Sequence, residues 1–221
     1  MMTPAAGWHV TAEANDEEAL GVLAADRVWN SFALADLSLP MRPFTRIAIA
    51  RHARPNAVAS CLVVLHPAFA VVSPFGAAAG VEVLLGTISL PPAALIQTLE
   101  QHLPAVERHF RPRRDWSAML RMTTDAAGFH PGREPAHGPR VERLTTPDLP
   151  DLLALYALYP GAHFRPELLD DGVYCGVRAG GALVAAGGTH IVTAAHGIAV
   201  LGSIFTHSAH RGRGYAHAVT A

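Results

Sequence analysis

The thirteen residues IFTHSAHRGRGYA, positions 204–216, decide the fold. The apolar run at their start predicts a strand, and the helix-compatible residues at their end predict the first turn of a helix. Between the two, Gly212 and Gly214 let the backbone adopt torsions that other residues avoid and approach a ligand closely. Arg211 and Arg213 add guanidinium groups that match phosphate geometry. A strand, a basic glycine-rich loop and a helix start, in this order, predict a pyrophosphate site.

Three strand candidates precede this loop and are joined by short, glycine-containing turns that suit antiparallel hairpins. They are residues 173–178, 182–192 and 198–206. Upstream, residues 141–144 predict a further strand. Thr146 as a cap, Pro147 at the first helical position and Asp148 in the first turn predict a helix after it. This order of elements predicts an α+β fold.

Residues 211–216, Arg-Gly-Arg-Gly-Tyr-Ala, resemble the Arg/Gln-x-x-Gly-x-Gly/Ala pattern of the GNAT superfamily of acyl-CoA-dependent acyltransferases. The segment Ala182-Leu183-Val184-Ala185-Ala186-Gly187-Gly188 is similar to the third strand of that family, and residues 198–206 are similar to its fourth. The resemblance covers the chain from about Val141 onward. It implies an antiparallel-rich sheet with flanking helices.

The resemblance also implies a cosubstrate, acetyl-CoA, and its binding residues. The backbone of Ile204 and Thr206 is expected to pair with the pantetheine arm, as an added strand would, with Phe205 between them on the opposite face. The backbone amides of the loop are expected to hold the pyrophosphate; these residues are Arg211, Gly212, Arg213, Gly214, Tyr215 and Ala216. The implied activity is direct transfer of an acetyl group to the amine of a small molecule or peptide.

The sequence assigns no catalytic residue. A carboxylate on the third or fourth strand is a common base in such enzymes, and neither predicted strand contains one. His190, His196 and Ser203 are the candidates near the expected cleft, and His190 is the best placed of the three. A structural role for His190 remains open. A CoA-binding sensor or assembly module without catalysis is therefore the alternative function.

The chain ends at Ala221, about one turn into the helix after the loop, whereas the family continues with that helix and further strands. The resemblance thus predicts a GNAT-like domain truncated after the pyrophosphate loop. A longer product and a partner chain that completes the sheet are both open.

The first half predicts a second α/β-type region. We expect an N-terminal half-domain at residues 1–124, a linker at 125–140 and the GNAT-like domain at 141–221. Asn15 and Glu18 predict a capping box, and a second helical pattern spans residues 29–37. Strands are predicted at residues 46–50, 61–65, 69–72, 81–86 and 116–123, a helix at 91–103 and a turn at 74–80. The ordering is similar to bacterial acetyltransferases that carry a degenerate half-domain ahead of the catalytic one. A wall of the acceptor cleft and a homodimer interface are both open roles.

Composition narrows the remaining partners. The formal net charge is −1, which disfavours nucleic acid as a partner. No stretch approaches the roughly 20 apolar residues of a membrane span, and the acidic N-terminus does not resemble a signal peptide, so a cytoplasmic location is expected. His207 and His210 lie three apart without acidic or thiol neighbours, so no metal site is predicted. The absence of lysine excludes Schiff-base chemistry.

Overall fold

The computed structural model describes residues 7–65, 70–125, 127–129, 139–159 and 164–221, apart from the side chains of residues 64 and 65. Contacts divide the chain into two compact units, Met1–Met122 and Thr123–Ala221, here called the N-unit and the C-unit. Most of the linker predicted at residues 125–140 lies outside the described residues.

The described part of the N-unit folds as one mixed sheet with helices. Its elements are β1 (Trp8–Thr11), α1 (Asp16–Leu23), α2 (Ser31–Ala35), β2 (Thr45–His52), β3 (Ser60–Leu65), β4 (Val71–Gly76), α3 (Ala78–Thr87), β5 (Leu95–Ile96) and α4 (Leu103–His109). The sheet order is β1-β2-β3-β4-β5, antiparallel up to β4, with β5 parallel to β4. The predicted capping box of α1 is present: the Asn15 side chain accepts from the Glu18 N–H, and Glu18 accepts from the Asn15 N–H.

Two N-unit predictions fail around β4. Residues 81–86, predicted as a strand, form part of helix α3, and the turn predicted at 74–80 is the end of β4 and the first turn of that helix. A continuous apolar run has no period that separates a buried strand from a buried helix. Packing against the sheet selects the helix. The residues of α3 that are buried, at helical spacing, are Gly80, Val81, Leu84 and Leu85, and α3 packs on β2 and β3.

Two further predictions fail at the end of the N-unit. The helix predicted at 91–103 is largely absent, because residues 95–96 pair with β4 as β5 and the helix α4 begins only at Leu103. Residues 116–123, predicted as a strand, have no regular secondary structure. Leu120 and Met122 are 92% and 88% exposed, so the apolar face that the alternation predicts is not buried against the rest of the unit.

The described part of the C-unit is a four-stranded antiparallel sheet with short helices. Its elements are β6 (Val141–Leu144), α5 (Leu149–Ala157), α6 (Leu168–Asp171), β7 (Tyr174–Ala179), β8 (Ala182–Thr193), β9 (Ile198–Thr206) and α7 (Tyr215–Ala218). The sheet order is β6-β7-β8-β9. All four predicted strands and the α+β class are confirmed. The cap of the helix after β6 lies one residue earlier than predicted, where Thr145 and Asp148 form a capping box.

Both units share one order of elements. A strand, two helices, three antiparallel strands and a helix run from β1 to α3 and again from β6 to α7. The corner between β4 and α3 is therefore the N-unit counterpart of the glycine-rich loop between β9 and α7. None of the described helices is long and apolar enough to cross a bilayer.

One arginine ties the C-unit together away from the loop. The Arg178 guanidinium on β7 contacts Glu142 at 2.5 Å, Asp151 at 2.6 Å and Asp148 at 2.8 Å. Glu142 lies on β6, Asp151 on α5 and Asp148 in the turn before α5. Arg178 therefore links the first strand and first helix of the unit to its central sheet.

Candidate cofactor site

An open cavity of about 310 Å³ lies where β9 ends and α7 begins. Its lining residues all come from the stretch that the sequence singled out. They are Ile204, Phe205, Thr206, His210, Arg211, Gly212, Gly214, Tyr215 and Ala216. The fold thus brings together every predicted cofactor-binding residue except Arg213, and it adds His210.

The loop glycines are needed for backbone torsion and for open space. Gly212 and Gly214 have φ of +74° and +76°, and a Cβ built at either position meets nothing within 4 Å. Among the described residues, the N–H groups of Gly214, Tyr215 and Ala216 donate no hydrogen bond. Backbone donors without partners, beside a surface that carries no Cβ, suit the oxygens of a phosphate or carboxylate.

Arg211 is anchored at the mouth of the cavity. Its Nε donates to the Thr206 carbonyl at 3.2 Å, and its guanidinium carbon lies 5.9 Å from the centre of the Phe205 ring. Phe205 is buried and stacks on Tyr159, with ring centres 5.3 Å apart and planes 6° apart. The Thr206 carbonyl therefore already accepts one hydrogen bond, which leaves its second lone pair for a ligand. The Arg211 charge stays beside the loop.

The charged side chain among the described lining residues of the cavity is that of Arg211. No aspartate or glutamate occurs between Gly172 and Ala221, so Arg211 and Arg213 face no carboxylate from their own segment. No group of three potential metal ligands lies close together in the described part of the chain. Arginine and unpaired backbone N–H groups are donors whose charge and geometry suit an anionic group.

Two polar atoms at the cavity are buried and have no hydrogen-bond partner within the described structure: Thr206 Oγ1 and His210 Nδ1. The His210 ring packs edge-on against His207, with ring centres 5.6 Å apart. Sequence reasoning missed His210 because it considered this residue only as a metal ligand. Its position directly before Arg211 in the loop is the signal that could have identified it.

The cavity continues toward a free sheet edge. β9 is the last strand in the order β6-β7-β8-β9, so one side of its backbone pairs with no described strand. Ile204 is 44% exposed while Phe205 is buried, which matches the predicted alternation of these side chains. An unpaired edge of this kind accepts an extended ligand with amide groups, as an added strand would pair.

A bulge interrupts β9 just beyond the cavity. The register runs from Ala186↔Phe205 to Gly188↔Gly202, which leaves one extra residue on β9. Ser203 has φ of +52°, a left-handed torsion that is uncommon for a residue with a side chain. The Tyr156 hydroxyl donates to the Ser203 carbonyl, and Ser203 Oγ lies 3.4 Å from His190 Nδ1. Of the three catalytic candidates, the fold brings His190 and Ser203 together, while His196 lies in the turn at the other end of β9.

The corresponding corner of the N-unit is filled by its own chain. Gly76 also has a positive φ, +85°, but a Cβ there would lie 2.1 Å from the Ala59 carbonyl oxygen. His102 Nε2 contacts the Gly76 carbonyl at 2.9 Å, and Ser60 Oγ donates to the Ala77 carbonyl at 2.8 Å. The segment 74–80 contains no basic residue. Of the two corners, only the one after β9 combines open space, unpaired donors and positive charge.

Comparison with known proteins shows the fold alone. No protein-family model and no curated protein matches this chain. A solved structure that does match is the X-ray structure of a Drosophila protein determined as a structural genomics target. It is similar to this chain with a TM-score of 0.54 and 14% sequence identity, over 95% of this chain and 82% of that chain.

Proposed function

We propose that this chain binds acetyl-CoA in the cavity at the end of β9 and transfers the acetyl group to an amine. The observation that carries the proposal is the convergence of eight of the nine predicted cofactor-binding residues on one cavity. The order of residues in the sequence alone predicts this motif. Its residues would not need to surround an open volume if the glycines served an ordinary surface turn.

The cavity and the strand edge suit different parts of the cosubstrate. The N–H groups of Gly214, Tyr215 and Ala216, with Arg211 beside them, offer donors for the pyrophosphate. The free edge of β9 offers backbone groups for the two amides of the pantetheine arm. A volume of about 310 Å³ is at the lower end of small-molecule sites, so most of the cosubstrate would extend along this edge.

Direct transfer needs two reactants held in one cleft and a path for one proton. The amine nitrogen attacks the thioester carbonyl carbon, the carbon–sulfur bond breaks, and the CoA thiolate leaves. The nitrogen loses a proton to a base, and the thiolate takes up a proton. Holding the reactants together supplies a large part of the acceleration.

A CoA-binding module without catalysis is the second candidate, and one observation favours it. Among the described residues no carboxylate lines the cavity, and none lies on β8 or β9. The two functions share the same cavity and differ in turnover. Release of CoA thiol in the presence of amines separates them.

The first test is the thermal stability of the full chain with and without millimolar acetyl-CoA, with adenosine as the control ligand. A ligand at about 100 times its dissociation constant that binds only the folded state adds about 2.7 kcal/mol of stability. We expect an upward shift of several degrees that adenosine does not reproduce. Equal melting temperatures with and without acetyl-CoA, together with no heat of binding in calorimetry, would refute both candidate functions.

A further inference from the structure

The bulge in β9 gathers polar side chains that cofactor binding does not use. Ser203 stands at its centre with a left-handed torsion, and His190 and Tyr156 contact it from β8 and α5. A non-glycine residue keeps such a torsion only where its surroundings hold it. Here the Tyr156 hydroxyl donates to the Ser203 carbonyl, and the Ser203 hydroxyl lies 3.4 Å from His190 Nδ1.

The fold makes room for the His190 ring at this place. His190 is itself an extra residue on β8, since Thr189 pairs with Leu201 and Ile191 pairs with the next residue, Val200. A Cβ on Gly202 would lie 2.8 Å from His190 Cβ and 3.1 Å from its Cγ. The glycine therefore allows the imidazole to lie across β9 beside Ser203. His190 is half-buried, so it is not sealed within the core.

The bulge lies where the reacting end of the proposed cosubstrate would arrive. Ser203 directly precedes Ile204, which lines the cavity. A pantetheine arm that starts at the loop and pairs along β9 passes Thr206 and then Ile204. At about 3.3 Å per residue, the strand runs about 10 Å from Thr206 to Ser203. The arm thus leads from the phosphate donors toward the imidazole.

We propose that His190 is the general base of acyl transfer and that Ser203 is a positioning residue that orients it; this rests on the function proposed above. With the Nδ1 proton donated to Ser203 Oγ, Nε2 carries the lone pair. The amine nitrogen bonds to the thioester carbon, the carbon–sulfur bond breaks, and Nε2 accepts the proton that the nitrogen loses. The thiolate takes a proton from solvent, and His190 returns its proton to solvent.

Two tyrosines in the described part of the chain also lie at the bulge, and neither is suited to this role. Burial raises the pKa of Tyr156 and that of Tyr174. Both hydroxyls therefore stay protonated at neutral pH and do not serve as bases. Tyr156 already donates to the Ser203 carbonyl, so it holds the bulge in shape.

The test compares binding with turnover in three variants of the full chain. Acetyl-CoA affinity is measured by calorimetry, and release of CoA thiol is measured with hydroxylamine as the acceptor, because it is small enough to enter any acceptor pocket. His190→Gln removes the base, Ser203→Gly removes only the hydroxyl at a torsion that glycine adopts easily, and His196→Gln is the control in the hairpin turn. Circular dichroism checks that each variant folds.

We expect His190→Gln to keep its acetyl-CoA affinity and lose about 100-fold in kcat, since a general base contributes about 10²–10⁴-fold. The acidic limb of the wild-type pH–rate profile is expected to disappear, and added imidazole is expected to restore part of the rate. Ser203→Gly should lower kcat less and keep the limb. His196→Gln should match the wild type.

Three results would overturn the proposal or its premise separately. A wild-type protein that binds acetyl-CoA but releases no thiol above the uncatalysed rate would exclude a base role for His190. Equal kcat in His190→Gln and wild type would do the same while leaving the acyltransferase function intact. A wild-type protein that does not bind acetyl-CoA would refute the proposed function itself.

Discussion

Replacing Gly214 with glutamate provides a sharp test of the cofactor site. Gly214 has φ of +76°, and a side chain built there points into open space, with nothing within 4 Å. The substitution therefore costs mainly the left-handed torsion of a residue with a Cβ, about 1–2 kcal/mol. The folded C-unit is expected to survive this cost.

The effect on binding follows from charge. A carboxylate at position 214 would stand about 4 Å from a bound pyrophosphate, where two like unit charges near a protein surface repel by about 4 kcal/mol. This corresponds to a loss of about 10³-fold in CoA affinity. Calorimetry with CoA and thermal unfolding of the same samples measure both quantities.

Gly180 provides a matched control in the same unit. It lies in the β7–β8 turn, has φ of +59°, and a Cβ there also meets nothing within 4 Å. Gly180→Glu thus carries a similar torsional cost and the same added charge away from the cavity. A folded Gly214→Glu protein that binds CoA as tightly as the wild type would contradict the proposed site. A Gly180→Glu protein that loses as much CoA affinity as Gly214→Glu would contradict it too.

Three further predictions concern the framework around the site. Arg178→Met removes a partly exposed guanidinium that bridges three carboxylates, and we expect the C-unit to lose about 1–2 kcal/mol in urea unfolding followed by circular dichroism; an unchanged midpoint would contradict a structural role. The Thr145 N–H, and then Arg178, hold the pKa of Asp148 below its ordinary value. The ionised Asp148 carboxylate therefore stabilises the folded C-unit above about pH 4, and this stabilisation is lost as the pH falls through the lowered pKa. Asp148→Asn should therefore flatten the acid dependence of stability, and an identical slope in the variant would exclude this linkage. Burial lowers the pKa of His102 despite its contact with the Gly76 carbonyl. Below about pH 6.5 the imidazole is therefore protonated in the unfolded chain but stays neutral in the folded N-unit. The free energy of unfolding of the N-unit should fall as the pH drops below about 6.5, and His102→Gln should remove this pH dependence. All three tryptophans lie in this unit, so tryptophan fluorescence is the probe of its unfolding.

The parts of the fold that the sequence predicted best have local causes. The hairpins of the C-unit are encoded by glycine turns between apolar runs, and the turn residues Gly180, Gly181 and Gly197 all adopt positive φ. The α1 capping box is a contact between residues three apart. Interactions of this range need no knowledge of the rest of the chain.

The errors fall where the local signal has two interpretations. Residues 81–86 are apolar without a clear period, and only burial against β2 and β3 decides that they form a helix. The sequence pattern includes residues 95–96 in a helix, yet they pair with the open edge of β4 as a strand. In both cases a neighbouring strand supplies the energy that selects the structure.

The sequence by itself determined the chemistry of the loop, because the torsional freedom of Gly212 and Gly214 and the charge of Arg211 belong to those residues wherever they lie. Only the tertiary structure decided that the loop after β9 is open while its counterpart after β4 is filled. It also placed Ser203 in a left-handed torsion beside His190, thirteen residues away in the chain. Space and distant contacts depend on how strands pair and which side chains they bury, and no short stretch of sequence contains that information.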